Sequence, residues 1–325
     1  MIKSISNVLE IATKSLKLHG IENPSGDARK LLSHLLSVSK NRLTLLSSEP
    51  ISKTVELKYF RMIDARKKHQ PVSQIIGYRM FWGREFIINK NVLDPRPETE
   101  ELIYHALKFN FKNILDLGTG SGVILITLLL ERTCSIGLGV DIEPRALEVA
   151  KRNAKNFATL DRARLIKSNW CEKISEKFDL IVCNPPYISS VETDDFAKHL
   201  GQWEPLNALF ANNNGLAEYM IISRSLSKVM KTSGVALFEI GYNQAEAVSK
   251  IFKNYESHHF SKISEVKYEK IILDKFLIKE VDWIDGTFIV NKKKLNDSKI
   301  MDENIFIYFE TMDMCYNFKR NQHKM

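Results

Sequence analysis

Cysteine is scarce in this 325-residue sequence. Cys134, Cys171, Cys183 and Cys315 are scattered with no CxxC pair. That pattern argues against a disulfide framework or a zinc site, and it makes the cytoplasm the expected compartment, with no metal. Long apolar runs are missing too. The longest stretch of aliphatic residues and Thr, residues 123–130, is too short to span a bilayer, so no membrane role is expected. The opening Met1-Ile2-Lys3-Ser4-Ile5-Ser6 lacks the apolar core of a secretion signal. No repeat of fixed period is visible. Excess positive charge is missing from most of the chain. Residues 1–115 hold 19 Lys and Arg against 11 Asp and Glu, whereas residues 116–250 hold 15 against 16, so the net charge of +8 sits in the first third. A basic first third suits an acidic protein or RNA partner, and equally a solvated Lys-rich helical surface.

What is present is a globular composition, 44% hydrophobic and 26% charged, long enough for two domains. Residues 1–70 read as a helical domain. Val8, Leu9, Ala12 and Leu16 recur at helical spacing, as do Ala28, Leu31, Leu32, Leu35 and Leu36, with Asn23-Pro24-Ser25-Gly26 breaking the chain between them. A third helix is expected over residues 54–68 and is stopped at Gln70-Pro71. Residues 71–96 read as a linker, with β-like runs at 72–76 and 85–88 suggesting a hairpin. A helix is predicted over residues 98–109, its Glu98, Glu100 and Glu101 near the positive end.

From Asn113 the pattern alternates. Strands are predicted at residues 113–117, 135–140, 163–167, 180–183 and 234–240, and helices at 123–131, 144–156 and 216–230. Such alternation implies an α/β domain, residues 97–260, with a parallel sheet covered on both faces. Ligands of such sheets bind beyond the carboxyl ends of the strands, which is where the motifs lie.

Asp116-Leu117-Gly118-Thr119-Gly120-Ser121-Gly122 follows an apolar strand and precedes an apolar helix. Glycines permit a tight turn and close approach of a ligand, and the helix start offers free N–H groups. Turns of this kind also occur with no ligand. Asp141 ends the next strand, where a carboxylate can accept from both ribose hydroxyls; it can also cap the helix at Pro144. Loop and acid together indicate an adenosine-type cofactor without separating a dinucleotide from S-adenosylmethionine. Asn184-Pro185-Pro186-Tyr187, after the strand at 180–183, decides between them. The Asn184 side-chain oxygen and the Pro185 carbonyl can accept from a substrate –NH2, orienting a nitrogen whose lone pair is delocalised into a carbonyl. Tyr187 can pack against the planar group. Trp170, after the third strand, can stack on adenine or be an ordinary core tryptophan.

These residues resemble the HemK/PrmC family of protein-(glutamine-N5) methyltransferases, which modify class-1 peptide chain release factors. The resemblance covers about residues 5–250. It includes Pro71-Val72-x-x-Ile75-x-Gly77, Phe81-x-Gly83, Leu93-Asp94-Pro95-Arg96-Pro97-Glu98-Thr99-Glu100, the motifs above, Glu204-Pro205-Leu206-x-Ala208-Leu209 and Phe238-Glu239-Ile240-Gly241. It implies a class I, Rossmann-like S-adenosyl-L-methionine methyltransferase domain behind a small helical N-terminal domain and a β-hairpin. In that reading Gly118, Thr119, Gly120, Ser121 and Gly122 bound the methionine end of the cofactor. Asp141 binds its ribose, Trp170 contacts adenine, and Asn184 touches cofactor and substrate. Asn184, Pro185, Pro186 and Tyr187 hold the glutamine amide of a Gly-Gly-Gln loop, with Asn184, Pro185 and Tyr187 catalytic. Residues 95–100 read as a wall near the site or, equally, as a Pro-stiffened helix entry. A monomer without direct nucleic acid binding, working in translation termination, is expected.

Two departures stand out. Asn169 precedes Trp170 where the family usually has Asp, and residues 261–325 are atypical: a family-like closing segment is missing, and Lys292-Lys293-Lys294 leads a Phe-, Lys- and Asn-rich tail. The competing readings are an adenine-N6 DNA methyltransferase, which also uses an Asn-Pro-Pro-Tyr turn, and a catalytically inactive binding protein.

Overall fold

The computed structural model describes residues 3–189, 202–259, 288–291 and 308–309. The first unit is four helices: α1 Ile5–Leu18, α2 Pro24–Leu36, α3 Lys40–Leu45 and α4 Lys53–Lys67. Each starts at a side-chain cap: Ser4, Asn23, Ser39 and Ser52 each accept from a backbone N–H of the first turn. The apolar stripe of α1 meets that of α2, and Tyr59 of α4 donates its hydroxyl to the Ala28 carbonyl at 3.0 Å. This core is separate from those around the sheet.

A short helix, α5 Val72–Ile76, follows, where the sequence suggested a strand. Its β-branched residues pack on the helical core, and Gly77 ends it in a left-handed conformation, so tertiary contact and capping outweigh propensity. The hairpin exists one step later, as β1 Tyr78–Phe81 paired with β2 Arg84–Ile87. Helix α6 spans Thr99–Ala106.

The α/β unit contains β3 Asn113–Leu117, α7 Val123–Glu131, β4 Ile136–Asp141, α8 Pro144–Asn156, β5 Ala163–Lys167 and β6 Phe178–Cys183. A two-residue pair, β7 Ile188–Ser189 with β8 Phe210–Ala211, precedes α9 Ala217–Val229, β9 Met230–Ile240 and α10 Ala245–His259. The order across the sheet is β9-β6-β3-β4-β5, all parallel. Strand alternation sends Ile114, Leu180, Val182 and Leu237 to one face, packed under α6 and α7. It sends Leu115, Leu117, Ile181, Cys183 and Phe238 to the other, under α9 and α10. Beyond β9 the sheet continues with β10 Phe288–Asn291, antiparallel, while β11 Tyr308–Phe309 pairs parallel with the end of β9. Most of residues 261–325, including Lys292-Lys293-Lys294, lies outside the described residues. Among the described residues no helix is long and apolar enough to cross a membrane.

Candidate active site

Sheet register performs the first step of assembly. Leu117 of β3 lies opposite both Cys183 of β6 and Val140 of β4, and Cys183 lies opposite Phe238 of β9. The next residues along these strands are Gly118, Asn184, Asp141 and Glu239. Four positions far apart in the chain thus begin in one row at the carboxyl edge of the sheet. The chain runs from β3 through β4 to β5 on one side and returns to β6 and β9 on the other. β3 and β6 therefore flank the switch point where open α/β sheets bind ligands.

The glycine loop is tied down from behind. Gly118 and Thr119 both donate their N–H to the Val140 carbonyl at 2.9 Å. Thr119 Oγ1 donates to Asp116 Oδ2 at 2.6 Å, and the Leu125 N–H reaches the same oxygen at 3.3 Å. Asp116 is fully buried; burial pushes its carboxyl up to about 7, against the pull of those two bonds. Gly118 has φ +73°, and a Cβ there would meet the Trp170 ring at 3.4 Å, so conformation and space both favour glycine. Asp141 spans two loops: Oδ2 accepts from the Gly120 N–H and Oδ1 from the Glu143 N–H, both at 2.9 Å. Burial raises its pKa, while the backbone N–H groups oppose the rise.

Asn184 leaves β6 with its Nδ2 donating to Thr99 Oγ1 at 3.3 Å. Anchoring the nitrogen there leaves Oδ1 on the other arm of the amide as an acceptor. Glu239 sits beside both, fully buried, with a carboxyl pushed up to about 7 by burial; the Thr99 hydroxyl and Asn184 amide pull it back. Neither Glu239 oxygen meets full hydrogen-bond geometry with them.

A cavity of about 300 Å³ opens over this row. Its walls include Gly118, Gly120, Asp141, Trp170, Asn184 and Pro186, six of the residues singled out from the sequence. Thr119, Ser121, Gly122, Pro185 and Tyr187 are not among its lining residues. Thr119 and Ser121 are buried and serve the loop itself: the Ser121 carbonyl accepts from Asn153 Nδ2 at 2.8 Å, and Gly122 caps α7. Tyr187, expected against the substrate amide, packs with the core under α9 and α10, and its carbonyl accepts from Gln244 Nε2 at 2.9 Å. The hydrogen bond from Gln244 and the close backbone of Gly215 hold that turn from outside. Thr99, Glu239 and Glu218 escaped the reading of the sequence as site residues. Thr99 lies in the 95–100 stretch read as a wall, and Glu239 in the quoted Phe238-Glu239-Ile240-Gly241 run, but only the fold brings them to Asn184: sheet register sets Glu239 beside it, and α6 presents Thr99 to it. No group of His, Cys, Asp and Glu able to hold a metal is present among the described residues.

Comparison with known proteins agrees with this geometry. Residues 7–77 match the PrmC N-terminal domain family, and residues 92–200 match the methyltransferase small domain family. The chain is 40% identical to a release factor glutamine methyltransferase of Cereibacter sphaeroides over 244 residues, covering 75% of this chain and 88% of that one. It is 35% identical to the protein of that name in Agrobacterium fabrum, covering 81% of this chain and 93% of that one. It also matches a bifunctional methyltransferase of Rickettsia prowazekii at 38% identity, over 78% of this chain but only 53% of that longer protein. The chain belongs to the release factor glutamine methyltransferase family.

Proposed function

We propose that this protein transfers a methyl group from S-adenosyl-L-methionine to the side-chain amide nitrogen, N5, of the glutamine in the Gly-Gly-Gln loop of class-1 peptide chain release factors. One observation carries the reading: Asn184 and Pro186 share a cavity with Gly118, Gly120 and Asp141. An amide-orienting turn and an adenosine-type loop therefore face one space. The residues fit the cofactor. Gly118 and Gly120 admit close approach, Asp141 keeps lone pairs for ribose hydroxyls, and Trp170 offers an aromatic wall. When bound, the cofactor supplies an electrophilic methyl on a sulfonium, whose loss leaves a neutral thioether.

The protein's own contribution is positioning. A carboxamide nitrogen is a poor nucleophile because its lone pair is delocalised. Asn184 Oδ1 and the Pro185 carbonyl accept its two N–H groups, turning the nitrogen toward the methyl; as the N–C bond forms and the C–S bond breaks, the nitrogen gives up one of these protons to solvent water. Thr99 holds Asn184 in the sense this requires. Such orientation can supply much of the rate enhancement without a strong base. Pro186, on the cavity wall, and Tyr187, packed on the core under α9 and α10, stiffen the turn. The basic helical domain engages the factor, and the protein works as a cytoplasmic monomer without binding nucleic acid directly.

Incubation with radiolabelled S-adenosylmethionine tests this against a release factor, the same factor with its loop Gln changed, and duplex DNA. Label on the intact factor alone is expected. Label on DNA would establish the adenine-N6 activity instead, and label nowhere would make this a binding protein.

A further inference from the structure

The indole of Trp170 is held in an unusual way. Its backbone has φ +45°, a left-handed region that bulky L-residues rarely adopt. Such a conformation persists only where surrounding contacts over-determine it, and it collects at ligand-binding positions. Three contacts do so here. Ser168 Oγ donates to the Trp170 carbonyl at 2.9 Å; the ring edge lies 3.4 Å from where a Gly118 Cβ would stand; and Trp170 Nε1 donates to Glu218 Oε2 at 2.7 Å. Glu218 comes from the first turn of α9, where the helix N-terminus favours a carboxylate, and it lines the cavity together with Trp170. The neighbouring Asn169 is engaged elsewhere, its Nδ2 donating to Glu172 Oε1 at 2.6 Å.

We propose that Glu218 is a positioning residue for the adenosyl group: it fixes the Trp170 indole against Gly118 so that the ring forms a preset wall of the purine subsite. The proposal rests on the methyltransferase reading above. A half-buried indole N–H needs an acceptor, and without one the ring is free to leave this strained pose. A wall ordered before binding spares the ligand the cost of ordering it.

Calorimetric titration of the full chain with S-adenosylhomocysteine tests the clamp. Loss of a hydrogen bond to a charged acceptor in Glu218→Ala should weaken binding about tenfold. Glu218→Leu, which keeps bulk but accepts nothing, should match it and carries the test should the alanine variant not fold. Glu218→Gln keeps an acceptor and should stay within about threefold of the wild type. In a Trp170→Phe background, which has no N–H, Glu218→Leu should cost nothing further. Unchanged binding in Glu218→Leu, or an undiminished loss in the Trp170→Phe background, would overturn the clamp while leaving the methyltransferase reading intact. A wild-type chain that binds no S-adenosylhomocysteine would overturn both.

Discussion

In the proposed reaction Asn184 works without a charge, so its orientation is its contribution. With Nδ2 anchored on Thr99, its acceptor is available to a substrate amide. Asn184→Ala should abolish nearly all transfer while S-adenosylhomocysteine affinity changes far less; wild-type turnover in single-turnover assays would remove the assigned role. Beneath it, Glu239 and Asp116 titrate near 7, above their ordinary values of 4.5 and 3.8, because burial penalises the carboxylate. The folded state then keeps protons that the unfolded chain releases. Their stabilisation is complete below the unfolded values and is lost as pH rises to about 7. Glu239→Gln stays neutral throughout, so its Tm should gain on the wild type between about pH 5 and pH 8. A Tm difference independent of pH in differential scanning calorimetry would contradict that assignment.

At the scale of elements, one side chain joins three of them. Asn153, fully buried on α8, donates to the Ser121 carbonyl of the glycine loop at 2.8 Å and to the Ile87 carbonyl at 3.1 Å, and accepts from the Ile87 N–H at 2.8 Å. Asn153→Leu strands all three backbone groups. At about 1–3 kcal/mol per unpaired buried group, a loss of about 3 kcal/mol or more is expected in urea unfolding, with weaker cofactor binding. Gly215 braces the other motif: it has φ +80°, and a Cβ would fall 2.0 Å from the Tyr187 carbonyl oxygen. Gly215→Ala should therefore displace the 184–187 turn and lower kcat more than cofactor affinity. The element boundaries of β3, α7, α8 and β5 were legible because short apolar runs, the glycines of residues 118–122 and Pro144 at the start of α8 mark them. Residues 72–76 were not, since a five-residue stretch with three β-branched residues is too short to show a period and its packing partner lies on the helical unit.

Across the whole molecule, buried charge joins the helical unit to the site. Ser73 Oγ donates to Asp94 Oδ2 at 2.7 Å, Arg79 lies 3.6 Å from the same oxygen, and Arg96 pairs with the buried Glu204 at 3.0 Å. Trp203 Nε1 donates to the Lys68 carbonyl at 3.0 Å, so the residues before the cavity-lining Pro205 are tied to the end of α4. Burial already raises the pKa of Glu204, with Arg96 countering it. Removing the partner of a buried charge is costly, so Arg96→Ala should lose about 3 kcal/mol. Methylation of the release factor should fall more than S-adenosylhomocysteine binding. Equal losses of both would show that the link serves stability alone.

The class of fold and the three motifs are readable from the order of residues. Strand–helix alternation, glycine turns and a Pro-stiffened strand end are local patterns, and each is written in neighbouring residues. Only the folded chain shows which motif residues line the cavity, that Tyr187 packs on the core under α9 and α10, and that Thr99 and Glu218 hold Asn184 and Trp170 while Glu239 lies beside Asn184. Those contacts join residues dozens of positions apart. They depend on strand register and helix docking, which arise only when the sheet and its two cores form together.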